Sequence, residues 1–182
     1  NIVADKFQTD HTNIITNTDE YIENMIDLIL FKGEPLNVPN EPLISTMAKR
    51  VKENGDVVLS GEGADELLHG YGRLFISYYN YLNDTSVPFF EYFMKKYAYI
   101  SDDYKKSILE KNVWENDMKE DEQLKYIFNS TFNECNGIHN QDKIGYAMLK
   151  LHLPCLLSRL DNATMSASVE GRVPFLDHDI VE

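Results

Sequence analysis

Residues 56–71 read DVVLSGEGADELLHGY and decide the fold of the chain. The Val-Val-Leu run at 57–59 is short and unbroken, which is typical of a strand buried on both faces of a parallel sheet. Two glycines in the next four residues, 60–63, permit a tight turn with positive φ. A short helix is expected over residues 64–69, with Gly70 as its stop. The stretch therefore predicts a strand, a glycine turn and a helix.

This turn is where a nucleotide phosphate is expected. In open α/β sheets ligands bind outside the carboxyl ends of the strands, and free amides at a helix N-terminus favour anions. Glu62, Asp65 and Glu66 bring three negative charges to the same turn and would repel a bare phosphate. Mg²⁺ removes the conflict, because it is held by one or two carboxylates together with phosphate oxygens. The residues therefore predict a magnesium–nucleotide site.

A structural interpretation fits the same spacing. Acidic residues in a first helical turn complement the helix dipole, and glycine turns follow many strands that bind nothing. Asp65 and Glu66 are adjacent along the expected helix, so they point in different directions. We therefore expect one of the two to be structural.

Residues 60–71 resemble the Ser-Gly-Glu-Gly-x-Asp-Glu-Leu-Phe-Gly-Gly-Tyr signature of the asparagine synthetase family. The match differs at Leu68, where the family usually has Phe, and at His69, where it usually has Gly. Residues 156–177 are similar to a second family segment, Asp-Arg-x-Ser-Met-Ala-x-Ser-x-Glu-x-Arg-Val-Pro-Phe-Leu-Asp, with Asn162 where a basic residue is usual. Two separate motifs in the family's order argue against a chance match.

The resemblance implies an α/β fold with a parallel-sheet core of the ATP-pyrophosphatase type, which is adenine nucleotide alpha hydrolase-like. Residues 1–182 are then part of one asparagine synthetase-type domain, with an α/β portion at 1–72 and a helical portion at 73–182. Aromatic stripes at helical spacing support the helical portion and are expected to be core. No strand is expected after Tyr71.

Two amphipathic helices are expected before the central strand, the first beginning near Thr18. We expect each to turn one apolar stripe toward the core. The stripes consist of Ile22, Met25, Ile26, Ile29 and Leu30 in the first helix, and of Leu43, Met47, Ala48 and Val51 in the second.

The resemblance also implies an activity, asparagine synthesis by a glutamine-hydrolysing, ATP-dependent ligase. Such enzymes adenylate aspartate to β-aspartyl-AMP, and ammonia released from glutamine then displaces AMP. Carried over by position, Ser60, Gly61 and Gly63 contact ATP, Glu62 is catalytic in forming the acyl-adenylate and accepting a proton from ammonia, and Asp65 binds Mg²⁺. ATP and Mg²⁺ are thus the implied cofactors, and aspartate is the implied carboxylate substrate.

Parts of the family's machinery do not occur in these 182 residues. There is no Ser-Gly-Gly-x-Asp-Ser pyrophosphate loop, no glutaminase domain with its N-terminal cysteine, and no region corresponding to the family's catalytic lysine. We expect an incomplete fragment of a larger amidotransferase that is inactive alone and works with a glutaminase domain of the same protein.

Several alternatives stay open at this stage. Related amidotransferases and cyclising synthetases share the signature and act on other carboxylates, and a non-catalytic protein-binding domain is a third interpretation. The acceptor, the nitrogen donor and homo-oligomer formation are also open. So are the roles of Arg159, Asp161, Glu170 and Arg172, for which a structural acid–arginine pair is the simplest expectation.

Composition excludes other classes of function. The chain has 17 Lys and Arg against 30 Asp and Glu, a formal net charge of −13, which disfavours nucleic acids and anionic membranes. No apolar run reaches the length of a membrane span. Cys135 and Cys155 lack the spacing of a zinc site, so reduced thiols in a cytoplasmic protein are expected.

Overall fold

The structure, a computed structural model, describes residues 2–83, 85–117, 119–135 and 139–182, and for 116, 117 and 119–121 the backbone only. It is mostly helical with one small parallel sheet, which confirms the predicted α/β class. The elements are α1 (Ile2–Phe7), α2 (Thr18–Lys32), α3 (Glu41–Lys52), β1 (Val57–Leu59), α4 (Ala64–Leu68), α5 (Gly72–Tyr81), α6 (Phe89–Tyr97), α7 (Asp102–Ile108), α8 (Lys111–Asp117), α9 (Lys119–Glu134), α10 (Asn140–Ala147), a π-helical turn (Met148–His152), α11 (Leu153–Met165), β2 (Glu170–Arg172), a 3-10 turn (Pro174–Leu176) and α12 (His178–Val181).

The chain forms two compact units. The first comprises Asn1–Ser60 and Leu157–Arg172, and the second comprises Gly61–Leu156 and Val173–Glu182. Among the described helices, none combines the length and the apolar character needed to cross a membrane. The predicted division of the domain at residue 72 stays a prediction.

The sheet of the first unit consists of β1 and β2, paired in parallel so that Val58 lies opposite Gly171. Backbone bonds extend the pairing beyond both ends of β1, from Glu170 N–H to the Asp56 carbonyl (2.7 Å) and from Ser60 N–H to the Arg172 carbonyl (2.8 Å). The expectation of no strand after Tyr71 is therefore wrong. Three polar or small residues make β2, and backbone pairing with β1 rather than apolar patterning holds it extended.

The prediction that β1 is buried on both faces is also wrong within the described residues. Side chains alternate along a strand, so Val57 and Leu59 share one face and Val58 takes the other. Val57 and Leu59 are 43% and 69% exposed, while Val58 is half-buried. The apolar run correctly indicates a strand, but its composition does not report how much of the strand the described elements cover.

Polar contacts decide how α2 faces α3. Tyr21 Oη donates to the Pro39 carbonyl (2.7 Å), and Asn24 Nδ2 donates to Thr46 Oγ1 (2.9 Å). The same face of α2 buries Leu28 completely. The predicted stripes are consequently rotated: Ile22, Ile26, Leu30, Leu43 and Met47 are exposed, Met25, Ile29 and Val51 are half-buried, and Ala48 is buried.

A buried ion pair between Lys32 and Glu41 links the end of α2 to the start of α3. The side chains of Lys32 and Glu41 are both fully buried, with Nζ and Oε2 2.6 Å apart. Oε1 of Glu41 accepts from the backbone amides of Asn37 (2.6 Å) and Val38 (3.0 Å), and Lys32 also reaches the Pro35 carbonyl (3.3 Å). Burial by itself would raise the pKa of Glu41, but the Lys32 bond and the two amides outweigh it and hold that pKa below its ordinary value.

The core of the second unit is largely aromatic, as the stripes predict, although Tyr79 and Leu82 of the first stripe are exposed. Phe93 is fully buried and packs against Phe132 with ring centroids 4.9 Å apart. Tyr97 lies 4.8 Å from Phe128 in the same cluster. The buried members of the core are Leu74, Phe75, Phe89, Phe93, Phe128, Phe132, Ile144, Ala147 and Met148.

Helix α4 ends one residue earlier than predicted. Its C-terminal cap is His69, which adopts the left-handed conformation with φ +57°, whereas Gly70 does not. The His69 ring stacks on Phe75 at 4.3 Å and 14°. Its Nε2 lies 2.6 Å from where a Cβ on Gly145 would be, so the missing side chain of Gly145 makes room for the imidazole. The glycine usual in the family at this position would adopt the same conformation without strain.

Replacing Lys32 by Met in the complete protein should lower the free energy of unfolding by about 3–5 kcal/mol, because Glu41 would keep a buried charge without its cation. The double variant Lys32→Met, Glu41→Gln should recover most of that loss. Urea unfolding measures both, with Lys111→Met, which removes an exposed pair to Glu115, as the control. Equal losses in the single and double variants would contradict the buried-pair account.

The same pair should make stability depend on acid pH. Since the folded pKa of Glu41 is depressed, its contribution is fully present above the unfolded value of about 4.3 and is lost as pH falls through the folded pKa. Urea unfolding curves measured below pH 5 should show a steeper loss for the parent than for Glu41→Gln. Parallel pH dependences would refute this.

Gly145→Ala should destabilise the complete protein by about 1–3 kcal/mol, because the new methyl overlaps His69. In a His69→Gly background the overlap is gone, and alanine is favoured over glycine in a helix by about 0.5–1 kcal/mol. The sign of the effect should therefore reverse, as measured by urea unfolding. Gly72→Ala, whose added Cβ would make only an ordinary contact with Cδ1 of Ile76 at 3.8 Å, should act identically in both backgrounds.

Candidate functional site

The glycine turn begins where β1 ends. Ser60 is half-buried and belongs to the first unit, and the backbone bond to Arg172 fixes its amide. Gly61 to Asp65 belong to the second unit. Gly63 is left-handed with φ +91°, and a Cβ there would lie 2.5 Å from Cδ2 of Leu176. Gly61 has no positive φ, and a Cβ on it would meet none of the described atoms within 4 Å.

The two glycines thus differ in what they do. Gly63 is required by backbone conformation and by the close approach of Leu176, so a side chain there is strained twice. Gly61 leaves its backbone open, which suits close approach by a ligand. Glycine content alone predicts the turn but not this division of roles.

The adjacent carboxylates of α4 point apart, as expected. Glu66 is 2% exposed and accepts a hydrogen bond from Tyr71 Oη. Asp65 is exposed, and its Oδ1 lies against the Cα of Gly70, where an added Cβ would overlap it. The Gly70 amide donates to the Asp65 carbonyl at 2.8 Å. Glu66 is therefore the structural acid, and Asp65 presents its carboxylate at the surface.

Three carboxylates gather around one phenol. Burial, the hydrogen bond to Glu66 and the charges of Glu66, Asp65 and Glu62, in that order, raise the pKa of Tyr71. The hydroxyl therefore stays protonated and acts as a donor at every physiological pH. It donates its hydrogen bond to buried Glu66, while half-buried Glu62 and exposed Asp65 lie nearby in the same turn.

The residues present fit a magnesium ion that is shared with a substrate. The described residues hold no ready-made group of three or more His, Cys, Asp or Glu able to bind a metal by itself. Mg²⁺ does not need one, because one or two carboxylates suffice when phosphate oxygens and water complete its shell. The exposed Asp65 is such a carboxylate, and half-buried Glu62 lies in the same turn.

The second motif is mainly structural in its described contacts. Arg159 is 9% exposed, with Nη1 3.5 Å from Asn40 Oδ1, while Asp161 is exposed. Arg172 Nε donates to Glu170 Oε1 at 2.9 Å, and this bond lowers the pKa of Glu170. An acid–arginine pair is therefore present, although on the surface.

Two further contacts join the second motif to α3 within the first unit. Ser166 Oγ lies 2.8 Å from Ser45 Oγ of α3, and Lys52 Nζ donates to the Ser168 carbonyl at 3.0 Å. Thr164, fully buried, packs 3.2 Å from where a Cβ on Gly171 would be. The small residues of this motif serve close packing.

Sequence reasoning missed the bond between Tyr71 and Glu66. The two residues are five positions apart, which is outside the i+3 and i+4 spacings of a helix face. The left-handed His69 reverses the chain, so that Gly70 lies on Asp65 and Tyr71 reaches back to Glu66. The sequence feature that could have indicated this bond is Tyr71 itself, which ends the first motif.

The whole chain is similar to known proteins. The family model for asparagine synthase matches residues 1–182. Asparagine synthetase [glutamine-hydrolyzing] 3 of Bacillus subtilis (strain 168) is 25% identical over 187 residues, covering 99% of this chain and 28% of that protein. No solved structure matches. With the family model matched from end to end, the chain belongs to the asparagine synthase family.

Proposed function

We propose that the complete protein is an ATP-dependent ligase that makes asparagine from aspartate through β-aspartyl-AMP, using ammonia derived from glutamine. The observation that carries the proposal is the acidic turn, in which Glu62, Asp65 and Glu66 surround Tyr71 and Asp65 presents its carboxylate at the surface. Membership of the asparagine synthase family supports amide formation as the reaction. The chain spans 28% of the length of its Bacillus relative. A glutaminase domain that releases ammonia from glutamine is therefore proposed as a part of the complete protein.

Ser60, Gly61 and Gly63 are proposed to contact ATP. Gly61 has an open backbone, and Gly63 shapes the turn that starts α4. Asp65 is proposed as the Mg²⁺ ligand. The metal, when bound with ATP, neutralises charge on the phosphates and so favours attack by the substrate carboxylate.

Glu62 is proposed to be the catalytic carboxylate. Attack of the aspartate β-carboxylate on the α-phosphorus of ATP forms the acyl-adenylate and releases pyrophosphate. Ammonia then attacks the acyl carbon, loses a proton to the Glu62 carboxylate and displaces AMP. A half-buried position suits a base, because partial removal from water strengthens its interaction with the ammonium-like centre.

The proposal also covers the fold of the complete domain and a cytoplasmic location. We propose that the parallel pairing of β1 and β2 belongs to a larger sheet of the ATP-pyrophosphatase type. Cys135 and Cys155 are both free thiols, which is the expected state in the cytoplasm.

Two other functions share parts of this argument. A related amidotransferase or cyclising synthetase would keep the acidic turn and act on a different carboxylate. A non-catalytic protein-binding domain would have no chemical use for Glu62 and Asp65. Replacing these two residues separates the enzymes from the scaffold.

In the complete protein, Glu62→Gln should lower kcat for asparagine formation by about 10²- to 10⁴-fold, because it removes the proton acceptor. Asp65→Asn should raise the Mg²⁺ concentration needed for half-maximal activity by about tenfold or more, because it removes a charged ligand. Initial rates measured against Mg²⁺ distinguish the two effects.

The matched controls are Glu23→Gln and Asp27→Asn, which change exposed acids on α2 in the same way. Both controls should leave kcat and the Mg²⁺ requirement unchanged. Unaltered asparagine formation in Glu62→Gln and Asp65→Asn would contradict the proposed roles and favour the scaffold.

Tyr71→Phe should lower the free energy of unfolding by about 1–3 kcal/mol, because buried Glu66 loses its phenolic donor. The double variant Tyr71→Phe, Glu66→Met should lose less, since it removes both polar partners. Tyr79→Phe, at an exposed tyrosine of α5, is the control. Additive losses in the double variant, seen by urea unfolding, would argue against the bond.

A further inference from the structure

A second candidate site lies within the second unit, beside the end of the acidic motif. A cavity of about 400 Å³ opens between the start of α5, the end of α6 and the π-helical turn. Tyr71, Arg73, Tyr97, Tyr99 and His152 line it, with Met148 at its base. This volume is in the range of small-molecule sites in proteins.

The rim of the cavity carries a fixed cation. Arg73 is exposed, and its guanidinium lies 4.8 Å from the ring of Tyr99, which is 81% exposed. Its Nη2 donates to the Tyr97 carbonyl at 3.1 Å. A guanidinium has five donors in a planar fork, so this anchoring orients the group while donors remain for a bidentate partner.

The floor of the cavity is aromatic, and its polar atoms bond to protein groups. His152 Nδ1 lies 3.0 Å from Tyr97 Oη, and the His152 ring meets the ring of Tyr71 edge-on at 5.5 Å. Tyr71 Oη is committed to Glu66, and Met148 is 1% exposed. A flat ring would therefore fit the floor better than a charged group.

Arg73 gives the rim a local positive charge, whereas Tyr71 on the floor lies near the charges of Glu66, Asp65 and Glu62, so an anionic group belongs at the rim. The residues that line the cavity include arginine and histidine, and none of them is acidic, in a chain of net charge −13. Burial, followed by nearby Cys155 and Tyr99, raises the pKa of Tyr97 to about 12, so that phenol does not ionise and repel an anion.

From these contacts we infer that the cavity binds a small organic anion with a flat ring, the ring on Tyr71, Tyr97 and His152 and the anionic group on Arg73. Both aromatic carboxylates and mononucleotides have this chemistry. The site uses neither Glu62 nor Asp65, so it goes beyond the proposed synthetase site and needs no Mg²⁺.

Equilibrium dialysis of the complete protein in EDTA, with benzoate and with AMP as separate probes, tests the inference. At least one probe should bind with a dissociation constant of about 1 mM or lower. Acetate, which has no ring, should bind about tenfold more weakly than benzoate, and adenosine, which has no phosphate, about tenfold more weakly than AMP. Binding by benzoate alone identifies a carboxylate site. AMP is also a product of the proposed synthetase reaction, so AMP binding identifies a nucleotide site at this cavity only where Arg73→Gln weakens it.

Arg73→Gln should weaken binding of the active probe about tenfold, and Tyr99→Ala about fivefold, since each removes a rim contact. Arg50→Gln and Tyr104→Ala, which change exposed residues elsewhere, should have no effect. Thermal melts establish that all four variants fold.

The inference is overturned if neither probe binds up to about 10 mM, if acetate and adenosine bind as well as their ring-bearing and charged counterparts, or if Arg73→Gln binds like the parent. Asp65→Asn serves to separate the two proposals. It should leave this binding unchanged whether or not it alters asparagine formation.

Discussion

The parallel pairing of β1 with β2 is the constraint on which the first unit depends. It joins the strand that leads into the glycine turn to a strand inside the second motif, with Leu59 opposite Arg172. The bond from the Ser60 amide to the Arg172 carbonyl carries that pairing up to the first residue of the turn. A long helical excursion separates the two strands in the chain, so the pairing is a non-local contact whose closure the rest of the unit must stabilise.

The acidic turn places its neighbouring carboxylates in different surroundings. Glu66 is removed from water and receives a hydroxyl bond, and Asp65 is held at the surface against Gly70. This arrangement depends on the reversal at His69, which in turn needs the empty volume at Gly145. One left-handed residue thus links the backbone of the motif to the packing of α10.

Sequence reasoning succeeds where local rules dominate. The strand at 57–59, the capped start of α2 and the aromatic packing of α5 and α6 follow from apolar runs, capping residues and helical spacing. It fails where tertiary contacts decide. The apolar stripes of α2 and α3 are rotated because hydrogen bonds from Tyr21 and Asn24 determine which sides of the two helices face each other. Strand β2 was not predicted because its sequence, Glu-Gly-Arg, has no apolar pattern.

In the candidate site, too, only part of the arrangement is predicted by the sequence. Ser60, Glu62 and Asp65 are readable as a motif, whereas the pairing of Tyr71 with Glu66 requires the fold. The central claim is that this turn binds ATP through Mg²⁺, and calorimetric titration of the complete protein with ATP, in Mg²⁺ and in EDTA, tests it most directly. The account predicts binding in Mg²⁺ that weakens at least about tenfold in EDTA. Equal binding in both buffers, or no binding in either, would contradict it.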